Sequence, residues 1–312
     1  MYTPALSLSG PTPLAERELQ IQIQQALDKK LTGQIHIVFL DDGMETIFVH
    51  QGKVREIYIH NHRSPDLNWE TPIKRFGRGA LKIEPLPARA MMFKKVILEE
   101  IEPGKTQNSG TNQLSSMFSL AEYNLTPTLF HIRWERAEGF ILVAGKSIPI
   151  CQAVLIAGDA FNDDPTALSQ MLTWEEAQCK VTVYHGNIKN QAWLEVYLNI
   201  LLEWYCRNIL NNYKQLTGAV MVRSILQSLL VLAENKGWNI TIQDQELKDT
   251  SMFLTAAETG KAYREMLSVI RLRIEPIIGS SLTHNMVKQS NQSAMGVYKV
   301  IQETFGLIED AQ

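Results

Sequence analysis

The chain has 312 residues, of which 45% are hydrophobic and 20% are charged, and its formal net charge is −3. This composition is typical of a globular protein, and the length exceeds what one hydrophobic core usually supports, so we expect two or three domains. The near-neutral charge argues against nucleic acid as the default partner, because phosphate binding requires clustered Lys and Arg. Three cysteines without a CxxC pair indicate neither a zinc knuckle nor a disulfide framework.

The beginning of the sequence lacks the basic start and the apolar stretch of a signal peptide. No run of about 18 uncharged apolar residues predicts a membrane span. We therefore expect a cytoplasmic protein with reduced cysteines and no membrane insertion.

The sequence pattern of residues 1 to 98 predicts an amphipathic helix followed by a meander of strands. Leu19, Ile23 and Leu27 recur at helical spacing, and Gly33 fits the helix stop. Apolar and polar residues then alternate in "QIHIVFL", "METIFVHQ", "KVREIYIH" and, after a short link, "ALKIEPL". This order predicts a first α+β module.

Residues 114 to 190 repeat this order of elements after a polar stretch at 99 to 113, which we interpret as a linker. Several positions correspond between the halves: Ile35-His36-Ile37 with Phe130-His131-Ile132, Gly52 with Gly145, Lys53 with Lys146, Phe76 with Trp174, Gly79 with Ala177, Leu81 with Cys179 and Ile83 with Val181. The recurrence predicts an internal duplication. We expect both aromatic rings to be largely buried, because they close the cores of their modules.

From residue 191 the pattern changes to long helical segments. The segment "QAWLEVYLNILLEWYCRNIL" is apolar around most of its circumference, so we expect it to be buried on more than one side. The whole sequence therefore predicts an α+β protein with two tandem helix-plus-antiparallel-meander modules. A mainly α-helical C-terminal domain over residues 191 to 312 follows them.

Three stretches of the first module, "LTGQIHI", "IFVHQGKVREIYI" and "FGRGALKIEP", resemble the PATAN domain, named after the N-terminal region of a PatA-type response regulator. The matching motif positions are Gly33, Gly52, Lys53, Phe76 and Gly79, and the second copy keeps Gly145, Lys146 and Trp174. The resemblance implies an interaction module of bacterial signal transduction without catalytic residues. It also implies a protein partner, either a small Ras-like GTPase or a response regulator.

Each apparent ligand group in the sequence is incomplete. His36, His50, His60 and His62 lie in or beside the strands, but no Cys, Asp or Glu completes a metal site, and the second copy keeps only His131. The two Gly-Lys steps lie between strands, so they predict turns and not a phosphate-binding loop, which needs a strand before it and a helix after it. We therefore expect no metal, no cofactor and no catalytic residue.

The two copies differ in charge near the closing strand. The first copy carries Lys74, Arg75, Arg78 and Lys82, whereas the aligned second-copy segment carries Glu175, Glu176 and Lys180. Charge complementarity governs association rate and partner choice, so we interpret the four first-copy residues, called here the basic edge, as a partner-binding surface. A solvated loop that binds nothing is the alternative interpretation.

These patterns predict a non-enzymatic, cytoplasmic adaptor for protein–protein interaction in bacterial signalling. One alternative is a nucleic-acid regulator built on the C-terminal helices through Arg264, Arg271 and Arg273, although Glu265 and Glu275 lie close by in the sequence. A second alternative is an enzyme whose active-site residues are scattered along the chain.

Overall fold

The computed structural model describes residues 13–40, 43–100, 104–243 and 246–307. These residues form an α+β protein with antiparallel sheets and a helical C-terminal region, so the predicted fold class is confirmed. Five parts of the predicted organisation lie outside the described residues: 1–12 and 41–42 of the first module, 101–103 of the linker, and 244–245 and 308–312 of the helical domain.

The first sheet contains five strands and is accompanied by three helices. Its elements are α1 (Glu16–Asp28), β1 (Gly33–Phe39), β2 (Met44–His50), β3 (Lys53–Ile59), β4 (His62–Arg63), α2 (Glu70–Phe76), β5 (Gly79–Pro85) and α3 (Ala88–Glu99). The strand order is β4-β3-β2-β1-β5, with β1 antiparallel to both of its neighbours. Helix α1 packs Leu19 and Ile23 against the isoleucine-rich face of this sheet.

The second sheet repeats this connectivity and adds one strand. Its elements are β6 (Thr106–Gly110), α4 (Leu114–Ala121), β7 (Thr128–Arg133), β8 (Ala137–Val143), β9 (Cys151–Ala157), β10 (Ala160–Asn162), α5 (Ala167–Leu172) and β11 (Gln178–His185). The strand order is β10-β9-β8-β7-β11-β6. In both sheets the first meander strand also pairs with the strand that follows the short helix, which is the arrangement that the predicted duplication requires.

The linker prediction is wrong for residues 106–113. Residues 106–110 form β6, which pairs with β11, and residues 111–113 form a 3₁₀ turn that leads into α4. The side chains of the first three residues of β6 are exposed, so the sequence shows no apolar alternation. Backbone hydrogen bonds to a neighbouring strand define β6, and they leave no mark in the side-chain pattern.

The closing strands correspond with an offset that differs from the predicted one. Ile37 pairs with Leu81 in the first sheet, and Ile132 pairs with Val181 in the second. Leu81 therefore corresponds to Val181 and not to Cys179. The shift of two residues keeps every side chain on its own face, because the side-chain period of a strand is two residues.

The largest core joins both sheets to the helices. Apolar residues of α3, among them Phe93 and Val96, share one buried cluster with Tyr58 of the first sheet and Phe140 of the second. Helix α6 (Gln191–Thr217) also belongs to this cluster and buries runs such as 196–198 and 200–202, which confirms its predicted burial on more than one side. Each sheet therefore has helices on both of its faces.

The remaining helices complete the C-terminal region around α6. They are α7 (Ala219–Lys236), α8 (Ala256–Ile278), α9 (Ser280–Ser293) and α10 (Val297–Phe305), with a small hairpin of β12 (Ile240–Gln243) and β13 (Glu246–Asp249) between α7 and α8. Among the described helices, none combines the length and the apolar character that a membrane span requires.

Candidate interaction surface

The basic edge begins in α2 and continues into β5. The Asn68 side chain accepts a hydrogen bond from the backbone N–H of Glu70 at 3.1 Å, and α2 ends at Gly77, whose φ is 78°. This short helix places Lys74 and Arg75 in its last turn. The turn at Gly77 then brings Arg78 to the start of β5.

The four basic side chains have different environments. Lys74 Nζ lies 2.5 Å from a carboxylate oxygen of Glu70, and Lys82 forms an ion pair with Glu84. The Arg75 guanidinium lies 5.1 Å from the centroid of the neighbouring Phe76 ring. In the part of the chain that the structure describes, no carboxylate forms an ion pair with Arg75 or Arg78. The candidate surface is therefore reduced to these two arginines.

In the second copy, the acidic residue Glu176 stabilises a turn through hydrogen bonds. Counted from the equivalent aromatic residues Phe76 and Trp174, Glu176 occupies the place of Arg78, because the additional two-residue shift of the closing strands follows these positions. Its carboxylate accepts hydrogen bonds from the backbone N–H groups of Glu135 at 2.6 Å and Arg136 at 3.0 Å, in the turn between β7 and β8. The Trp174 indole donates to the same carboxylate at 3.3 Å. This side chain is thus bonded in the second copy, whereas Arg78 is exposed in the first.

Gly52 and Gly145 occupy corresponding turns. Their φ values are 75° and 93°, a region that favours glycine. A Cβ added to Gly52 would lie 2.3 Å from the carbonyl oxygen of Leu27, and one added to Gly145 would lie 2.4 Å from that of Asn124. Each turn therefore packs against the backbone at the C-terminal end of the first helix of its own copy: Leu27 lies in the last turn of α1, and Asn124 lies just after α4.

The other motif residues also shape the backbone. Gly33 and Gly79 are the first residues of β1 and β5, and Lys53 and Lys146 are exposed beside their turns. None of the four lies in the buried ion network described below. Their placement agrees with the interpretation of the Gly-Lys steps as turns.

The two aromatic motif residues make equivalent contacts. The Phe76 ring centroid lies 4.9 Å from that of Phe39, and the Trp174 centroid lies 5.9 Å from that of Trp134. Phe76 and Trp174 are both more buried than exposed and pack against the apolar clusters of their own copies, in agreement with the expectation. In the first copy the Arg75 guanidinium lies over one face of the Phe76 ring.

The strand histidines do not converge. His36 is buried, its Nδ1 lies 2.9 Å from the Thr46 hydroxyl, and burial lowers its pKa to about 4. His60 and His62 are exposed. Within the described ranges, no group of three or more His, Cys, Asp or Glu residues could hold a metal ion.

A buried ion network connects the first sheet with α3 and α6. Lys95 of α3 lies 2.5 Å from Glu56 of β3 and also forms an ion pair with Glu195 of α6. Arg63 of β4 lies 3.3 Å from Glu56, and the Tyr58 hydroxyl donates to the same carboxylate at 2.9 Å. Burial raises the pKa of Glu195 to about 7, although Lys95 opposes the shift.

The neighbouring residue of α3 reaches the second sheet. Lys94 Nζ lies 2.8 Å from a carboxylate oxygen of Glu138 on β8, and His131 of β7 lies 2.7 Å from the other oxygen. Burial alone would raise the pKa of Glu138, but Lys94 and His131 hold it well below its ordinary value. Successive helical residues diverge by about 100°, so one turn of α3 ties down both sheets.

A small cavity of about 40 Å³, lined by both polar and apolar side chains, lies beside Lys95. Its walls include Glu195, Asp249 and Tyr263, whose hydroxyl donates to Asp249. Burial raises the pKa of Asp249. A cavity of this size has room for a few water molecules.

The arginines of the nucleic-acid alternative lie in two places. Arg264 and Arg271 line a cavity between α8 and α9, whereas Arg273 lies in a groove between α7 and α8. Phosphate binding uses cations that are gathered on one surface. This distribution therefore does not favour binding of a nucleic-acid backbone by the three arginines together.

No family model, no curated protein and no solved structure matches this chain. The resemblance to the PATAN domain accordingly stays a prediction.

Proposed function

We propose that this protein is a non-enzymatic adaptor in bacterial signalling, that it works in the cytoplasm, and that Arg75 and Arg78 bind an acidic surface of a protein partner. The observation that carries the proposal is the difference between the two copies. Arg75 and Arg78 are exposed and have no ion-pair partner among the described residues, whereas Glu176 of the second copy is held by three hydrogen bonds.

The interior supports the non-enzymatic part of the proposal. Lys95 and Arg63 are paired with buried carboxylates, and the cavity beside Lys95 has a volume of about 40 Å³. These charges hold helices to sheets, and the space beside them suits a few water molecules. A small Ras-like GTPase or a response regulator is the partner class that the PATAN resemblance implies.

The first step of the test is affinity purification of the full chain from its native host, with mass spectrometry of the proteins that co-elute. The double variant Arg75→Glu with Arg78→Glu is then compared with the wild type for association with the most abundant partner, at low and moderate salt. We expect association at low salt to slow by about ten-fold or more, because electrostatic steering depends on exposed charge.

The matched control is the double variant Lys146→Glu with Lys180→Glu, which makes the same charge change on exposed residues of the second copy. It should associate like the wild type, and all proteins should melt at the same temperature. If the first-copy variant keeps both the wild-type rate and its salt dependence, Arg75 and Arg78 are not the docking site.

A further inference from the structure

A cavity of about 160 Å³ lies between α8 and α9. Its inner wall consists of buried apolar side chains: Ile209, Leu267, Ile270, Ile274, Met286 and Leu307. An apolar cavity of about 150 Å³ in another protein stays dry and binds benzene. The cavity between α8 and α9 therefore has the size and the lining that suit a ligand body of one aromatic ring.

Two arginines line the same cavity. Arg264 and Arg271 are two turns apart on α8, about 10.5 Å along the helix axis. Arg264 is exposed, and no carboxylate of the described residues forms an ion pair with it. Arg271 Nε lies 3.8 Å from Glu275, which is too long for a hydrogen bond. Both guanidinium groups thus retain donors for a ligand.

The uncharged polar residues of the cavity add no charge to that of the two arginines. The Thr283 hydroxyl donates to the carbonyl oxygen of Gly279 at 2.9 Å, so its proton is already used. Ser268 is exposed on the cavity wall. Positive charge above an apolar wall favours a ligand with an anionic head and an apolar body.

We infer that this cavity, called here the α8–α9 pocket, binds a small carboxylate with an apolar body the size of one aromatic ring. Arg264 and Arg271 hold the carboxylate through charge-assisted hydrogen bonds, and the ring lies against Ile270 and Ile274. The pocket is separate from Arg75 and Arg78, so this inference and the proposed adaptor function are tested independently.

The test uses isothermal titration calorimetry of the full chain with three probes. Benzoate carries both the charge and the ring, benzyl alcohol carries the ring without the charge, and acetate carries the charge without the ring. We expect benzoate to bind about ten-fold or more tightly than either of the other probes, since a charge-assisted contact is lost in one case and the apolar burial in the other.

Three single variants locate the binding. Arg264→Gln and Arg271→Gln should each weaken benzoate binding by about ten-fold and leave benzyl alcohol unchanged. Arg273→Gln is the matched control, because Arg273 is exposed on the same helix but lines a different groove. The three variants should melt at the wild-type temperature, since no buried group changes.

A fourth variant blocks the pocket without touching the arginines. Ser268→Phe places a ring at an exposed position on the pocket wall, and it should weaken both benzoate and benzyl alcohol. Equal affinity for benzoate and benzyl alcohol, equal losses in the Arg271 and Arg273 variants, or no binding heat with benzoate would overturn the inference.

Discussion

The two sheets share one connectivity but complete their outer edges differently. In the second sheet β6 pairs with β11, residues 106–110 against residues 178–182. In the first sheet, within the described ranges, the corresponding side of β5 carries the single bridge between Leu14 and Gly79. The strands that recur in both copies pair in the same way, whereas the segment that pairs with the outer side of the closing strand differs between the two sheets.

The same difference extends to charge. Ile37 pairs with Glu45 and Ile132 pairs with Gly139, so a buried acid of the first sheet corresponds to a glycine of the second. Glu45 is fully buried, and neither of its carboxylate oxygens has a hydrogen-bond partner in the described part of the chain. Copies that share a backbone can therefore respond differently to pH.

The largest effect is expected from removing the lysine that serves the first sheet. In Lys95→Met, Glu56 and Glu195 stay buried with Arg63 as their remaining cation, and we expect the free energy of unfolding to fall by about 3–5 kcal/mol. Urea unfolding followed by circular dichroism measures the loss.

The matched variant is Lys94→Met, which acts on the second sheet. Glu138 keeps its bond to His131 there, so we expect a smaller loss of about 1–3 kcal/mol. Equal losses in the two variants would show that α3 holds both sheets with equal strength.

Truncating the paired aromatic residues tests whether the two copies remain equivalent in energy. Phe76→Ala and Trp174→Ala should each lower the free energy of unfolding by about 2 kcal/mol, less than for a fully buried ring, because both rings are half-buried. Tyr123→Ala, at a ring that is 76% exposed, is the control and should unfold like the wild type. A loss in one copy alone would break the equivalence.

The pH dependence of stability should belong mainly to the first sheet. Burial raises the pKa of Glu45 from its ordinary 4.5 to about 8. An acid whose pKa is raised by folding stabilises the fold fully below its unfolded pKa and loses this contribution as the pH rises through the folded value. We therefore expect the free energy of unfolding to fall between about pH 5 and about pH 9.

Glu45→Gln should reduce this fall by about 2 kcal/mol or more, because the amide does not ionise. Some decline should persist in the variant, since Glu195, whose pKa burial raises to about 7, still titrates. Urea unfolding at both pH values measures the difference. A decline of unchanged size in Glu45→Gln would assign the pH response to other groups.

The smallest effect is expected at the position where the copies exchange an acid for a base. Glu176→Gln weakens the bonds to the N–H groups of Glu135 and Arg136 and should lower the melting temperature slightly. Arg78→Gln should leave it unchanged, because the described residues offer Arg78 no ion-pair partner. Thermal unfolding of both variants measures the effect. A lower melting temperature for Arg78→Gln alone would show that Arg78, and not Glu176, has the structural role.

Sequence periodicity predicted the meanders because one or both faces of each strand are buried. It did not reveal α3, whose sequence "ARAMMFKKVILE" is buried on almost every side and therefore lacks a continuous polar face. The ion network was also missed, because Lys94 and Lys95 meet Glu138 and Glu195 at separations of 44 and 100 residues. The sequence feature that could have indicated the ion network is the pair Lys94 and Lys95 within an otherwise apolar run.

The basic edge was predicted from the charge of four residues alone. The structure removes Lys74 and Lys82 from it, because both form ion pairs with nearby glutamates. Glu70 precedes Lys74 by four residues on one helix, a spacing that brings the two side chains together. Glu84 follows Lys82 by two residues on one strand, on the same face. Both partners were visible in the sequence, whereas the bonds of Glu176 to a distant turn were not.

The bond between Lys95 and Glu195 has a consequence for protein synthesis. Glu195 follows Lys95 by 100 residues, so a ribosome that adds about 5–20 residues per second delivers it roughly 5–20 s later. Until α6 emerges, the buried cluster to which Phe48 and Tyr58 belong lacks the apolar side chains that α6 contributes. During this interval the nascent chain therefore exposes an apolar surface and an incompletely paired lysine.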